Sequence, residues 1–355
     1  MKFGGVVATK IDDWQIFPFL EELGYDSAWA PDSQMIWSDC YATLALAAHH
    51  TSRIRLGTGV SIAGTRAAPV TAHSIATINK LAPGRTFLGI GTGHTAMRIM
   101  GQNPVPPSKF RDYLRVLHGL MRGEEVEYEG QPIRFLDREL ECINTDDHID
   151  IYVAANGPKA MAAAGAYGDA RVGAGNEPVS LFQRNMERMR KGAEDVGRDL
   201  QDDFPSAVLT YACILQPGER LTDDRVIDEV GSAALSSLHF WYEIYLQRGT
   251  DAFIMPAVHD TWDAYKAYVE SEFPLERRHQ YLHRGHCAFT PEGERQFITP
   301  ELIRASGGLV GEPDEIVEQI RTFEAGGLTE TLLLPPVAVA RDNFKSFAEQ
   351  VIARF

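Results

Sequence analysis

Gly84-Arg85-Thr86-Phe87-Leu88-Gly89-Ile90-Gly91-Thr92-Gly93-His94 is the stretch that decides the fold. Pro83 and Gly84 stop a preceding helical pattern over 67–81. Residues 86–90 then form an apolar strand, and glycines at 89, 91 and 93 open the turn behind it. The strand shows no polar alternation, as expected of one covered on both faces.

Working outward, the same strand-then-helix unit recurs. Residues 3–7, 27–30 and 54–60 read as strands. Between them, Asp12 or Asp13 caps a helix that Gly24 ends, and 41–50 is a helix of small apolar residues. Downstream, strands are predicted at 149–153, 170–172, 207–215 and 331–334. Helices are predicted at 109–121, 159–166, 180–196, 314–323 and 341–354. Strand–helix alternation implies a parallel sheet. Eight strands favour a closed α/β structure, a (β/α)₈ TIM barrel, over an open doubly wound sheet.

Two segments break the alternation. Residues 123–148 contain a β-hairpin around Glu129-Gly130. Residues 222–305 form a helical insertion with Trp241, Tyr242, Tyr245, Trp262, Tyr265, Tyr268 and Tyr281. Those aromatics are expected to form a packed face, and they are also candidates to wall an apolar pocket. No repeat or low-complexity linker divides the chain, so residues 1–355 are read as one domain.

The 355 residues are 44% hydrophobic and 23% charged, a globular balance that argues against disorder. A net charge of −15 argues against a nucleic-acid partner, which needs a basic face. No run approaches the ~18 apolar residues of a membrane span. The N-terminus reads as a strand and not as a signal peptide. A cytoplasmic protein is the expectation. Cys40, Cys142, Cys213 and Cys287 are widely spaced, which predicts reduced, buried thiols and neither a zinc knuckle nor a redox pair.

In a (β/α)₈ barrel the active site lies at the carboxyl ends of the strands. This selects Asp32, Ser33 and Trp37 after strand two, and Gly59, Val60 and Arg66 after strand three. It also selects Gly91, Thr92, Gly93 and His94 after strand four, and Ala154, Ala155, Asn156 and Gly157 after strand five. Glycines let backbone N–H groups approach a phosphate. The same glycines also suit a plain tight turn. The run is not a Rossmann fingerprint: it follows the wrong strand and lacks the third glycine at the required spacing. Pro158 behind Gly157 suits a first helical position, so a second set of free N–H groups is expected there.

These stretches resemble the bacterial-luciferase-like superfamily. The resemblance rests on residues 24–32, 51–60, 84–93 and 154–159, with a closing unit at 310–316 and 324–327. It is strongest toward the branch using the deazaflavin coenzyme F-420, which includes glucose-6-phosphate dehydrogenases and methylenetetrahydromethanopterin reductases. The resemblance implies an oxidoreductase with F-420 or FMN as cofactor and a small-molecule substrate, acting as a homodimer. It implies a non-prolyl cis peptide at Gly59-Val60 behind the ring. It implies that Thr92, Gly93 and residues 154–157 hold the cofactor phosphate, and that Trp37 lines the substrate side. Hydride transfer with F-420 is the main expectation. A reduced-FMN monooxygenase and a non-catalytic flavin-binding paralogue are the alternatives.

Two positions depart from the sugar-phosphate dehydrogenases. They carry histidine where this chain has Ser33, and glutamate where it has His94. A serine is no general base near neutral pH, whereas an imidazole is. His94 therefore becomes the candidate acid–base group, with Asp32 as a possible orienting partner. His279, His283 and His286 follow an i, i+4, i+7 spacing, one helix face. With Arg277, Arg278 and Arg284 beside them and no acidic motif, no metal is expected there.

Overall fold

The strand-four segment forms Thr86–Gly91 and sits inside a closed barrel in the computed structural model, which describes residues 1–355. The barrel half before it is β1 (Lys2–Val6), α1 (Ile16–Glu22), β2 (Ser27–Ala30), α2 (Cys40–His50), β3 (Arg55–Ile62), α3 (Ala68–Leu81) and β4 (Thr86–Gly91). Next come α4 (His94–Ile99), α5 (Pro107–Met121) and the antiparallel hairpin β5 (Val126–Tyr128) and β6 (Gln131–Ile133). The alternation resumes with β7 (Asp150–Ala154), α6 (Pro158–Tyr167), β8 (Ala170–Ala174), α7 (Val179–Glu194) and β9 (Ser206–Thr210). After a short β10 (Ala212–Ile214), the insertion holds α8 (Asp224–Arg248), α9 (His259–Glu272), α10 (Arg278–Tyr281) and α11 (Pro300–Ala305). The chain closes with β11 (Leu309–Gly311), α12 (Pro313–Ala325), β12 (Glu330–Leu333) and α13 (Ala340–Gln350). Strand order around the barrel is β1-β12-β9-β8-β7-β4-β3-β2, all parallel. This is the (β/α)₈ TIM barrel expected from the alternation.

The interior is filled by side chains, as barrels of this size require. Trp29, Phe87, Tyr152 and Leu332 form its centre, with the Trp29 ring 4.3 Å from Phe87 and 5.0 Å from Tyr152. Gly89 is demanded by this packing: a Cβ there would fall 2.1 Å from the Thr58 carbonyl. The outer core between strands and helices is a separate, larger cluster including Phe17, Leu44, Ile75, Phe110, Leu117 and Phe344. No helix is long and apolar enough to cross a membrane.

Several local expectations need correction. The segment 207–215 is two strands. β9 belongs to the barrel, whereas β10 pairs in parallel with β11 and ties the two ends of the insertion together. Neither Asp12 nor Asp13 caps α1; they lie in a 3₁₀ turn, and Asp13 pairs with Arg341. Cys142 is exposed, while the other three free cysteines are buried. His279, His283 and His286 do not share a helix face. α10 stops at Tyr281, and Gly285 (φ 74°) and Cys287 (φ 52°) turn the backbone left-handed.

The insertion has its own hydrophobic cluster, in which Tyr242, Trp262 and Tyr265 are buried. These aromatics are therefore a packed face, with ring contacts such as Tyr265 on Phe297 at 5.3 Å.

Candidate active site at the carboxyl rim of the barrel

The ends of β3, β4 and β7 converge. A Cβ on Gly91 would lie 3.1 Å from both the Ala154 Cβ and the Val60 Cγ2, so the two small-residue turns are neighbours. Gly93 begins α4 with φ 81°, a left-handed conformation that only glycine takes cheaply. No side chain caps the first turn of α4 or of α6. α6 starts at Gly157-Pro158, where a Cβ on Gly157 would meet nothing within 4 Å. Asn156, Gly157 and Lys159 are exposed there, and Thr92 and Ala154 are half-buried. Uncapped N–H groups of α6 thus face open space beside a cation, a surface suited to a phosphate.

The Gly59-Val60 peptide is cis, and both residues are half-buried at the mouth. The Asp32 N–H donates to the Val60 carbonyl at 3.4 Å. The Asp32 carboxylate is committed elsewhere: it pairs with Arg66 and accepts from Ser61 Oγ at 3.2 Å. Burial pushes its pKa up, against the Arg66 charge. Asp32 therefore orients no histidine. Ser33 starts the next turn, its carbonyl accepting the Ile36 and Trp37 N–H groups. That turn presents Trp37, whose indole N–H is buried without a partner.

His94 is the first residue of α4, and its partner comes from the insertion. His94 Nδ1 lies 2.9 Å from Glu243 Oε2, and His94 Nε2 has no partner. Phe240, one turn earlier on α8 and 42% exposed, places its ring 4.9 Å from the imidazole. Glu243 Oε1 accepts from His283 Nε2 at 2.7 Å, and Arg98 Nε lies 4.0 Å away. Burial works to raise the Glu243 pKa, but the His283 and His94 imidazoles bring it down to about 2. Burial pushes His283 down and holds His286 at about 3. Glu243 is thus ionised while these two imidazoles stay neutral. The His286 ring in turn sits 6.2 Å from Trp37.

The mouth therefore gathers His94 and Trp37 around groups that sequence reading missed: Glu243 and Phe240, with Arg98 behind. Asp32 and Ser33 stand on the rim in other roles. The available signal for the missed set was a charged residue four positions after His239 within Leu238-His239-Phe240-Trp241-Tyr242-Glu243, an otherwise apolar helical run.

Comparison with known proteins agrees with this architecture. The chain is 32% identical over 197 residues to a 5,10-methylenetetrahydromethanopterin reductase of Methanolobus tindarius, covering 54% of this chain and 58% of that one. It is 26% identical over 342 residues to the corresponding reductase of Archaeoglobus fulgidus, covering 95% and 94%. The chain thus spans somewhat over half of the first relative's length and nearly all of the second's. Its fold matches the coenzyme F-420 dependent tetrahydromethanopterin reductase of Methanopyrus kandleri with a TM-score of 0.72 and 21% identity, over 100% of this chain and 99% of that one. The pattern of the luciferase-like monooxygenase family runs through residues 15–330, across every strand end described above except those of β1 and β12, and the chain belongs to that family.

Proposed function

We propose that this chain is an oxidoreductase that moves a hydride between the deazaflavin coenzyme F-420 and a small organic substrate. The observation that carries this reading is one mouth shared by two things: an anion-ready rim at Gly91, Ala154 and Gly157, and an imidazole whose buried Nε2 has no partner. The residues present fit such a cofactor. Thr92, Gly93 and residues 154–157 would hold its phosphate, and Gly59 and Val60 would back its ring. When bound, a deazaflavin supplies a two-electron hydride acceptor or donor.

The chain's own residues would do the rest. His94 Nδ1 faces the Glu243 carboxylate, which favours the tautomer with its proton on Nδ1. Nε2 is then a lone pair able to take a substrate proton and return it. Trp37 and Phe240 supply apolar walls and exclude water. Asp32 with Arg66 fixes the loop that carries Trp37. Barrel and insertion work as one unit here, since His94 and Glu243 come from each. Likeness to a coenzyme F-420 dependent reductase supports the cofactor, while the Ser33 and His94 departures argue against a sugar phosphate as substrate.

The test is a fluorescence titration of the purified chain with F-420 and, separately, with FMN. Saturable F-420 binding and turnover that drops about 10²-fold in His94→Ala are expected. Tight FMN binding with no F-420 affinity would shift the reading to an FMN-dependent monooxygenase. Stoichiometric binding without turnover would make the chain a non-catalytic binder. The resemblance also carries a cytoplasmic homodimer. Sedimentation at twice the chain mass and recovery in the soluble fraction check those two points.

A further inference from the structure

The geometry points to a divalent transition-metal site held by His239, His283 and His286, above the barrel mouth and separate from the cofactor rim. One ring nitrogen from each of these residues lies within 4.8 Å of the others. The Nδ1 atoms of all three are buried and have no hydrogen-bond partner. Such an arrangement is costly unless something satisfies it, because each unpaired buried polar atom forfeits a hydrogen bond to water.

The remaining nitrogens show which ligand is wanted. His239 Nε2 is bonded to Glu294 Oε2 at 2.7 Å, and His283 Nε2 to Glu243 Oε1 at 2.7 Å. A carboxylate oxygen accepts, so each Nε2 carries the proton and each Nδ1 carries a lone pair. Buried lone pairs in a cluster whose ring nitrogens lie within 4.8 Å of one another repel an anion and call for a Lewis acid. A carboxylate behind a histidine is also the usual outer support of a metal ligand, fixing its tautomer and raising its basicity.

The chain builds this convergence on purpose-shaped backbone. His239 and Glu243 are one turn apart on α8. His283 and His286 lie in the tight turns after α10, closed by His286 N–H to the His283 carbonyl at 3.2 Å and by left-handed Gly285 and Cys287. Three imidazoles suit zinc, cobalt or nickel, with a fourth position left for water or a substrate oxygen. Tetrahedral binding at ~2.0–2.1 Å needs nitrogens roughly 3.3 Å apart, so the rings close by at most about 1.5 Å on loading. Of the arginines that argued against a metal from sequence, Arg278 is engaged elsewhere: it bonds Tyr242 Oη and the Phe273 carbonyl.

The site stands or falls without the cofactor reading, since its test uses the cofactor-free chain. Full-length protein, stripped with a chelator, is titrated with Co²⁺ alone and followed by visible absorbance. One equivalent should produce the intense d–d bands of a four- or five-coordinate ion. His286→Ala, which disturbs no carboxylate pair, should weaken binding by at least 100-fold with an unchanged circular dichroism spectrum. Glu294→Gln should weaken it about 10–100-fold. Should either variant fold poorly, His239→Asn provides the same reading. No band, or a band untouched in His286→Ala, overturns the proposal. So does a band lost in His148→Ala, because that residue belongs to the surface group with Asp150 and Asp169.

Discussion

The barrel rim and the insertion contribute opposite things to one mouth. The rim offers backbone: glycines, small residues, a cis peptide and uncapped helix starts. The insertion offers charge and titratable side chains: Glu243 beside His94, with His283 and His286 behind. The difference teaches that binding and chemistry are separately built here. A rim of small residues can hold a shared cofactor fragment in many proteins, while a replaceable insertion sets what is done beside it.

The sharpest way to break that comparison is to put a side chain on two glycines with different jobs, one inside the barrel and one on its rim. Gly89 is structural, with the Thr58 carbonyl 2.1 Å from where its Cβ would sit, and backbone cannot step aside. Gly89→Val should lose about 3 kcal/mol or more of stability, or fail to fold, measured by urea denaturation. A loss below about 1 kcal/mol would mean that the strands are not pressed together as described.

On the insertion side, Glu243→Gln keeps the shape and removes the charge that faces His94 and His283. Turnover should fall by about 10²-fold with KM little changed, because Glu243 acts through its neighbours and touches no substrate. A raised KM with kcat unchanged would instead place it in uniform binding. The third change returns to the rim. Gly157→Val meets no atom within 4 Å, and the backbone at φ −103° is ordinary for valine. Stability should move by no more than about 0.5 kcal/mol, while F-420 binding weakens about tenfold as a branched side chain crowds the phosphate position. Unchanged binding would move the phosphate off this corner.

The same division explains what was legible in the sequence. The barrel could be read because each β/α unit is local, and its apolar runs and stop signals lie within some twenty residues of one another. The rim residues were legible for the same reason, since strand ends follow from strand positions. Glu243 was not legible as the partner of His94, because that contact joins α4 to a helix far along the chain and depends on tertiary packing. The histidine spacing misled: 279, 283 and 286 fit one helix face, but Gly285 and Cys287 turn the chain away, and His239 takes the place that spacing had given to His279. Asp32 misled in another way. A carboxylate at a strand end invites a catalytic role, yet Arg66 had first claim on it.

Two buried carboxylates give the smallest and most discriminating comparison. Glu243 is brought down by imidazoles, whereas Glu330, at the amino end of β12, is raised by burial despite the Ser27 hydrogen bond and the Arg55 charge. For Glu330 the folded pKa lies above the unfolded value near 4.5, so the native state takes up its proton first as pH falls. Its ionised form therefore costs stability at neutral pH. That cost fades as pH drops through the folded pKa toward 4.5. Glu330→Gln should raise the urea midpoint at pH 7 by less than any effect above, with its amide oxygen still accepting from Ser27. The advantage should vanish near pH 4.5, where the native carboxyl is itself protonated. A variant less stable at pH 7 would show that Arg55 makes the Glu330 charge worth keeping, and the barrel floor would then be held by an ion pair in place of a neutral acid.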